Sequence, residues 1–324
     1  MKNDVFNIQN NQEFTAIALQ VFKHQFNNNS VYRSFCDLLY IHPSDIKTIE
    51  EIPFLPIQFF KSHKVISSNN AITETFSSSG TTGSITSKHF VTDISWYTQS
   101  YLQGFAHFYK DIESYTVLAL LPNYLERKGS SLIYMVDDLI KKSKQPESGF
   151  YLHNIDELAE KLKTLDANGN KVLLIGVSFA LLDLIEIHSF SLKNTIVMET
   201  GGMKGRRKEM IRKELHTLLS KGFGVEKIHS EYGMTELLSQ GYSKGNGVFN
   251  CPPWMKILTR DTEDALTILP SGSSGGINVI DLANYNSCSF IATQDLGKVY
   301  NDASFEIIGR FDNSDIRGCN LMVL

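Results

Sequence analysis

Cysteine is scarce and scattered. Cys36, Cys251, Cys288 and Cys319 form no Cys-x-x-Cys pair and no spacing that suggests a disulfide framework, so the thiols read as free and the compartment as reducing. Basic charge is not in excess either. Lys and Arg number 31 against 35 Asp and Glu, a formal net charge of -4, which argues against nucleic acid or an anionic membrane surface as the main partner. No apolar run approaches a membrane span. The opening Met1-Lys2-Asn3-Asp4 is polar and acidic, unlike a secretory signal. These absences point to a cytoplasmic protein. What remains is globular composition, 42% hydrophobic over 324 residues, enough for one large domain or two modest ones.

Hydroxyls and glycine are concentrated in one place, Ser77-Ser78-Ser79-Gly80-Thr81-Thr82-Gly83, just after a strand-like Thr73-Glu74-Thr75-Phe76. The backbone N–H groups of such a loop can wrap an anion, and its side-chain oxygens add further hydrogen bonds. Ordinary turns share this composition, so both readings stand. The loop is not a Walker A sequence, because that motif needs Lys and then Ser or Thr after its second Gly, and Ile85 stands five residues after Gly80.

Along the chain, Phe14, Ile17, Ala18, Val21 and Phe22 recur at helical spacing, and Asn27-Asn28-Asn29-Ser30 breaks that helix before a second one. Pro53 and Pro56 make residues 52–57 extended. Thr92-Asp93 caps a helix through Tyr109. Strands are expected at 115–121, 172–177, 195–199 and 225–229, with helices from Ser130, at 155–165, 180–187 and 207–219. This alternation means βαβ units around a largely parallel sheet, an α/β fold. From residue 249 the texture changes to short strands and turns, at 255–259, 265–269, 277–280, 288–292 and 305–308. The expected organisation is therefore an α/β core over 1–248, with an N-terminal helical segment, and a smaller β-rich subdomain over 249–324 with a short tail. The loop Ser271-Gly272-Ser273-Ser274-Gly275-Gly276 reads as a hairpin connection.

In an open parallel sheet, ligands bind beyond the C-terminal ends of the strands. Gly201-Gly202 follows one strand, where small residues let a flat ring approach the backbone or simply make a turn. Glu231-Tyr232-Gly233-Met234-Thr235-Glu236 follows the next. It offers an aromatic face, a hydroxyl and a carboxylate suited to Mg2+, or else a capped helix start. Asp295, in Thr293-Gln294-Asp295-Leu296-Gly297, can accept from ribose hydroxyls or sit in a surface turn.

The order of these motifs, ending in Gly309-Arg310-Phe311-Asp312, resembles the adenylate-forming superfamily of acyl- and aryl-CoA ligases, luciferases and peptide-synthetase adenylation domains. Residues 78–83 match its phosphate loop. Tyr232, Gly233, Thr235 and Glu236 match its Tyr-Gly-x-Thr-Glu signature. Thr293 and Asp295 match its ribose motif with Gln294 in place of Gly, and Gly309, Arg310 and Asp312 match its hinge motif. Two features depart. The usual Pro-Lys-Gly after the loop is replaced by Ser84-Ile85-Thr86-Ser87-Lys88, which displaces a cation, and the chain stops soon after the hinge motif, where superfamily members continue into a C-terminal domain with a catalytic Lys. With Ile52-Pro53-Phe54-Leu55-Pro56, Leu121-Pro122-Asn123-Tyr124-Leu125-Glu126-Arg127, Gly129-Ser130-Ser131 and Ile316-Arg317-Gly318-Cys319, the chain resembles the LuxE-type acyl-protein synthetases, the acid-activating subunits of fatty-acid reductase complexes.

The resemblance implies the large-domain fold of adenylate-forming enzymes, with the C-terminal domain absent or vestigial. It implies ATP and Mg2+ as cofactors, and activation of a carboxylic, fatty, acid to an acyl-adenylate. Ser78, Ser79, Gly80, Thr81, Thr82 and Gly83 would hold the pyrophosphate. Gly201, Gly202 and Tyr232, with Gly233, would flank adenine, and Asp295 would bind ribose. Thr235 would orient the α-phosphate, Glu236 would hold the metal, and Arg310 would reach the nucleotide. Cys319 would take the acyl group and pass it to a reductase partner, in a homo- or hetero-oligomer. A CoA ligase that borrows its C-terminal domain, and a non-catalytic binding subunit, are the alternatives.

Overall fold

The computed structural model describes residues 1–78, 85–121, 129–151, 154–201 and 210–311. The chain divides into two compact units, one formed by residues 1–69 with 253–324 and the other by 70–252.

The first unit begins with α1 (Lys2–Phe6), α2 (Asn11–Asn28) and α3 (Ser30–Leu38). Asn10 caps α2 by accepting from the Glu13 N–H at 2.9 Å. Phe14, Ala18, Val21, Phe22 and Phe26 form its buried stripe, while Ile17 is only half-buried. Asn29 adopts an extended backbone that stops α2, and its side chain accepts from the Tyr32 N–H to start α3. One residue thus does both jobs, which is why an asparagine run separates two helices. A short strand β1 (Leu55–Pro56) and α4 (Phe59–Ser62) follow.

The second unit opens with an antiparallel hairpin, β2 (Glu74–Ser77) and β3 (Lys88–Val91), whose connection is the Gly-rich segment. Then come α5 (Ile94–Tyr109), capped by Asp93, β4 (Thr116–Leu120), and α6 (Ser131–Ser143), capped by Ser130. The chain continues through β5 (Gly149–Phe150), α7 (Ile155–Ala167), β6 (Val172–Gly176), α8 (Ser178–Ile187), β7 (Thr195–Glu199), α9 (Arg212–Phe223), β8 (His229–Tyr232), β9 (Gly241–Ser243) and β10 (Phe249–Asn250). The strand order is β5-β4-β6-β7-β8-β9-β10, parallel from β5 to β8 and antiparallel from β8 to β10. The order reverses direction between β4 and β6, a topological switch point of the kind that opens a crevice at the strands' C-terminal ends. β4 and β6 are buried at every position, as strands covered on both faces must be.

The first unit resumes with β11 (Met255–Arg260), β12 (Ser274–Asp281), β13 (Phe290–Val299) and β14 (Phe305–Arg310), paired antiparallel in that order, with β1 running parallel to β13. Its N-terminal helix is anchored here. Gln25 Nε2 donates to the carbonyls of Asn284 and Tyr285 and to Ser289 Oγ, while Gln25 Oε1 accepts from the Ser289 N–H at 2.9 Å. Asn29 Nδ2 donates to the Ser287 carbonyl at 3.0 Å.

Four expected elements differ. The strand expected at 288–292 is β13, which starts at Phe290 and runs on to Val299. The helix expected over 207–219 begins at Arg212 and runs to Phe223, where Gly224 at φ +68° ends it; residues 207–209 lie outside the described residues. The strand expected at 225–229 starts only at His229, because residues 225–228 complete the turn that follows the left-handed glycine. At 265–269 there is no strand but a single bridge from Ile268 to Arg260. Asp264 there accepts from the Leu266 N–H and from Thr267 Oγ1, which bends the chain.

Gln25 is fully buried and uses both ends of its amide, the two N–H groups being shared among three acceptors. Gln25→Ala should therefore destabilise the protein by roughly 2–4 kcal/mol. A chemical denaturation midpoint within error of the wild type would contradict this reading of the anchor.

Candidate active site

The base of the Gly-rich segment is closed by hydroxyl chemistry. The Ser78 N–H donates to the Ser87 carbonyl at 3.0 Å, and Ser78 Oγ accepts from the Ser87 N–H at 2.9 Å. Gly129, at φ +87°, lies against the same hairpin and its carbonyl accepts from the Ser77 N–H. A Cβ at Gly129 would stand 3.0 Å from the Thr75 carbonyl. Ser79, Gly80, Thr81, Thr82 and Gly83 lie outside the described residues. Lys88, the displaced cation, opens β3 opposite Ser77 and is exposed.

The next residue, His89, ties this hairpin to the second motif. It is fully buried, and its Nδ1–H donates to the Thr235 carbonyl at 3.0 Å. Burial pushes its pKa down to about 4, against a small opposing effect of that carbonyl, so the ring is neutral.

Glu231 and Tyr232 are the last residues of β8, and residues 233–240 turn the chain back into antiparallel β9. No helix follows Thr235 and Glu236, so the capped-helix alternative fails. Glu236 is buried at 6% exposure and Thr235 is half-buried. Tyr232 is buried, and its ring meets Phe249 edge-on at 6.1 Å. Gly233 gives room to its neighbour, because a Cβ there would sit 2.3 Å from Glu231 Oε1.

A residue that sequence reasoning passed over organises this end of the sheet. Glu199 closes β7 and is 3% exposed. Its Oε2 accepts from the Gly201 N–H at 2.7 Å and from Ser178 Oγ at 3.2 Å, and its Oε1 faces Arg212 Nε at 3.6 Å and His216 Nε2 at 3.5 Å. Burial alone would raise its pKa, but His216, the Arg212 charge, the Gly201 N–H and Ser230 outweigh it and hold the carboxyl at about 2. Gly201 sits at φ +70°, and among the described residues nothing lies within 4 Å of where a Cβ would be, so the left-handed backbone conformation is what favours glycine here. Gly202 lies outside the described residues. Thr200 Oγ1, between Glu199 and Gly201, is buried with no hydrogen-bond partner among the described residues. The available signal was a lone carboxylate ending the apolar Ile196-Val197-Met198 run just before Gly-Gly.

In the first unit, Asp295 lies opposite Arg310 across β13 and β14, with Arg310 Nε 3.1 Å from Asp295 Oδ1. Asp295 is buried in the strand, not in a surface turn, whereas more than half of the Arg310 side chain is exposed. Behind them lies Arg260, also unforeseen. It is 8% exposed and donates to the carbonyls of Ile277 and Thr293 and to Asn278 Oδ1. Cys319 lies outside the described residues. Cys36 and Cys288 are buried, which pushes the Cys36 thiol up to about 12 and raises the Cys288 thiol as well. The apolar residues of β6 and α8 are mostly core. Among the described residues no helix is long and apolar enough to cross a membrane, and no cluster of three His, Cys, Asp or Glu forms a metal site.

Glu231 adds a pH dependence. Burial, and then the Glu199 charge, push its carboxyl up to about 8. The unfolded chain loses that proton in the usual carboxylate range. Between that range and about pH 8 the folded state holds the extra proton, so stability falls as pH rises across the window. Glu231→Gln should therefore be more stable than wild type at pH 8 and little changed at pH 4, by denaturant midpoints. A variant that is less stable than wild type at pH 8 would contradict the assignment.

Several solved structures have a similar fold. ATP-bound MatB from Rhodopseudomonas palustris aligns at 17% identity and a TM-score of 0.56, covering 75% of this chain and 49% of that one. A 2-hydroxyisobutyryl-CoA ligase in complex with 2-HIB-AMP and CoA aligns at 14% identity and a TM-score of 0.68, covering 93% of this chain and 68% of that one. The chain thus spans about half the length of MatB. No curated protein matches it. The family model for acyl-protein synthetase, LuxE, matches residues 4–115 and 145–324, and on that match the chain belongs to the LuxE family of acyl-protein synthetases.

Proposed function

We propose that this chain activates a carboxylic acid with ATP. A carboxylate oxygen of the acid bonds to the α-phosphorus as the bond to the pyrophosphate oxygen breaks, leaving acyl-adenylate and pyrophosphate. The observation that carries this reading, beside the family match, is the link between two motifs. His89, at the base of the Gly-rich hairpin, holds the carbonyl of Thr235, next to the buried Glu236.

The residues fit a nucleotide and its metal. Thr200 Oγ1 is a buried hydroxyl with no partner among the described residues, at the C-terminal end of a parallel strand. Glu236 offers the hard carboxylate oxygen that Mg2+ prefers. Bound there, Mg2+ would neutralise charge on phosphate oxygens. Residues 78–83 would hold the departing pyrophosphate through backbone N–H groups and hydroxyls, and Thr235 would orient the α-phosphate. Gly201, Gly202, Tyr232 and Gly233 are assigned to adenine. Asp295 is assigned to the ribose hydroxyls, with Arg310 beside it.

The acyl group then moves to Cys319. Its thiolate sulfur bonds to the acyl carbon, the bond to the adenylate oxygen breaks, and AMP leaves. The buried Cys36 and Cys288, with raised thiol pKa values, are poor nucleophiles. The substrate class is a fatty acid, and a reductase partner takes the acyl group from the thioester.

Glu236→Ala should abolish acid-dependent exchange of labelled pyrophosphate into ATP while keeping the wild-type melting profile; exchange at the wild-type rate would remove Glu236 from the site. Cys319→Ser should keep exchange but lose the hydroxylamine-sensitive acyl-enzyme. A thioester on the Ser variant would move the acceptor to another cysteine, and acyl-CoA formed by either protein would make CoA the acceptor.

A further inference from the structure

Arg260 is a buried guanidinium at the end of β11, where alternation along the strand gives no reason for a cation. The chain makes room for it. A Cβ at Gly276 would stand 2.7 Å from Arg260 Cζ. The pairing of β12 with β13 slips between Gly276 and Asn278, so Ile277 drops out of the regular ladder and its carbonyl turns to other donors. Two side chains take it, Arg260 Nη1 at 2.7 Å and Thr293 Oγ1 at 2.9 Å. Thr293 Oγ1 in turn accepts from the Asp295 N–H at 3.1 Å, and the Thr293 carbonyl accepts from Arg260 Nη2 at 2.6 Å.

A continuous set of hydrogen bonds therefore runs from Arg260 to the backbone of Asp295. The neighbouring strand is bound in as well. The Phe311 N–H donates to the Gln294 carbonyl at 2.8 Å, and the Arg260 guanidinium lies over the Phe311 ring, 5.6 Å from its centroid. Asp295 thus has Arg310 on its exposed side, at 3.1 Å, and the Arg260 framework behind it. The positive charge of Arg260 also acts on the Asp295 carboxylate, although burial, the larger effect, lowers the guanidinium's own pKa.

We propose that Arg260 is a positioning residue for nucleotide recognition: through Ile277, Thr293 and Phe311 it fixes the backbone of residues 293–295 so that the Asp295 carboxylate meets the two ribose hydroxyls. The proposal rests on the assignment of Asp295 to ribose made above. It explains three features that the ribose motif alone does not: the bulge at Ile277, the glycine at 276, and a buried cation whose hydrogen-bond partners are two carbonyls and an amide oxygen. It also explains how Gln294 stands where the motif has glycine, because the strand geometry there is imposed by Arg260 and by the Phe311 N–H.

The test is equilibrium binding of ATP and of 2′,3′-dideoxyATP, which lacks both hydroxyls, by calorimetry. Wild type should prefer ATP by about tenfold or more, the worth of hydrogen bonds to a charged acceptor. Arg260→Met should compress that preference to about twofold or less, and Asp295→Asn should compress it equally. Gly276→Ala, which displaces the guanidinium without removing it, should do the same, and Arg260→Lys should fall between. The variants that keep the wild-type melting profile decide the outcome, so a Met variant that fails to fold leaves Lys and Gly276→Ala to be read. A folded variant that weakens both nucleotides by one common factor, or that keeps the wild-type preference, overturns the proposal and leaves Arg260 a purely structural role. A wild type that does not bind ATP, or does not discriminate, overturns it too. Wild type that binds and discriminates but exchanges no pyrophosphate contradicts adenylation, while the nucleotide ratio still decides the role of Arg260.

Discussion

A carboxylate buried at the end of a parallel strand has to be compensated on the spot, and Glu199 dictates much of what surrounds it. Unpaired, it would cost several kcal/mol or simply take up a proton. Here Arg212 and His216 come from α9, Ser178 from the start of α8, and the Gly201 N–H from the chain just beyond β7. One charge thus ties two helices and a left-handed glycine to the C-terminal end of one strand. Its charge also adds to the desolvation that raises the pKa of Glu231 on the adjacent strand. At neutral pH the carboxyl with cationic and N–H partners keeps its charge, and Glu231 keeps its proton.

The same economy governs the two glycine-containing motifs of the second unit. The Gly-rich segment joins two short antiparallel strands, and the hairpin at its base is held by Ser78 with Ser87 and by His89 with Thr235. A neutral, buried imidazole is a directional spacer here, fixing a backbone carbonyl beside Glu236. In the first unit an analogous task falls to Arg260, whose charge is spread over two carbonyls and an amide oxygen. In each case a buried side chain fixes the backbone beside a carboxylate, Glu236 in one unit and Asp295 in the other.

The α/β class and the helix starts at Asp93 and Ser130 were legible in the sequence, because each depends on local spacing or on a capping side chain. The strand ending in Glu231 and Tyr232 was displaced by about one turn of chain, since Gly224 can end a helix or begin a strand and only its left-handed backbone decides which. The role of Arg260 was not legible, and that of Glu199 was signalled only by its place after an apolar run. Their partners lie on other elements, and the bulge that frees the Ile277 carbonyl has no local signature beyond Gly275-Gly276. The N-terminal helices gave no sign of their neighbours either. Gln25 spends both ends of its amide on groups about 260 residues further along the chain. Residues 79–83, Gly202 and Cys319 are read from the motifs alone, because they lie outside the described residues.

The central claim is that ATP and an acid leave an acyl group on the protein. Intact-protein mass spectrometry after incubation with ATP, Mg2+ and a mixture of acids of different chain lengths tests it most directly. The account predicts an added mass equal to one acid less water, dependent on ATP and removed by neutral hydroxylamine. An unchanged mass, with no AMP formed from ATP in the presence of any of the acids, would contradict it.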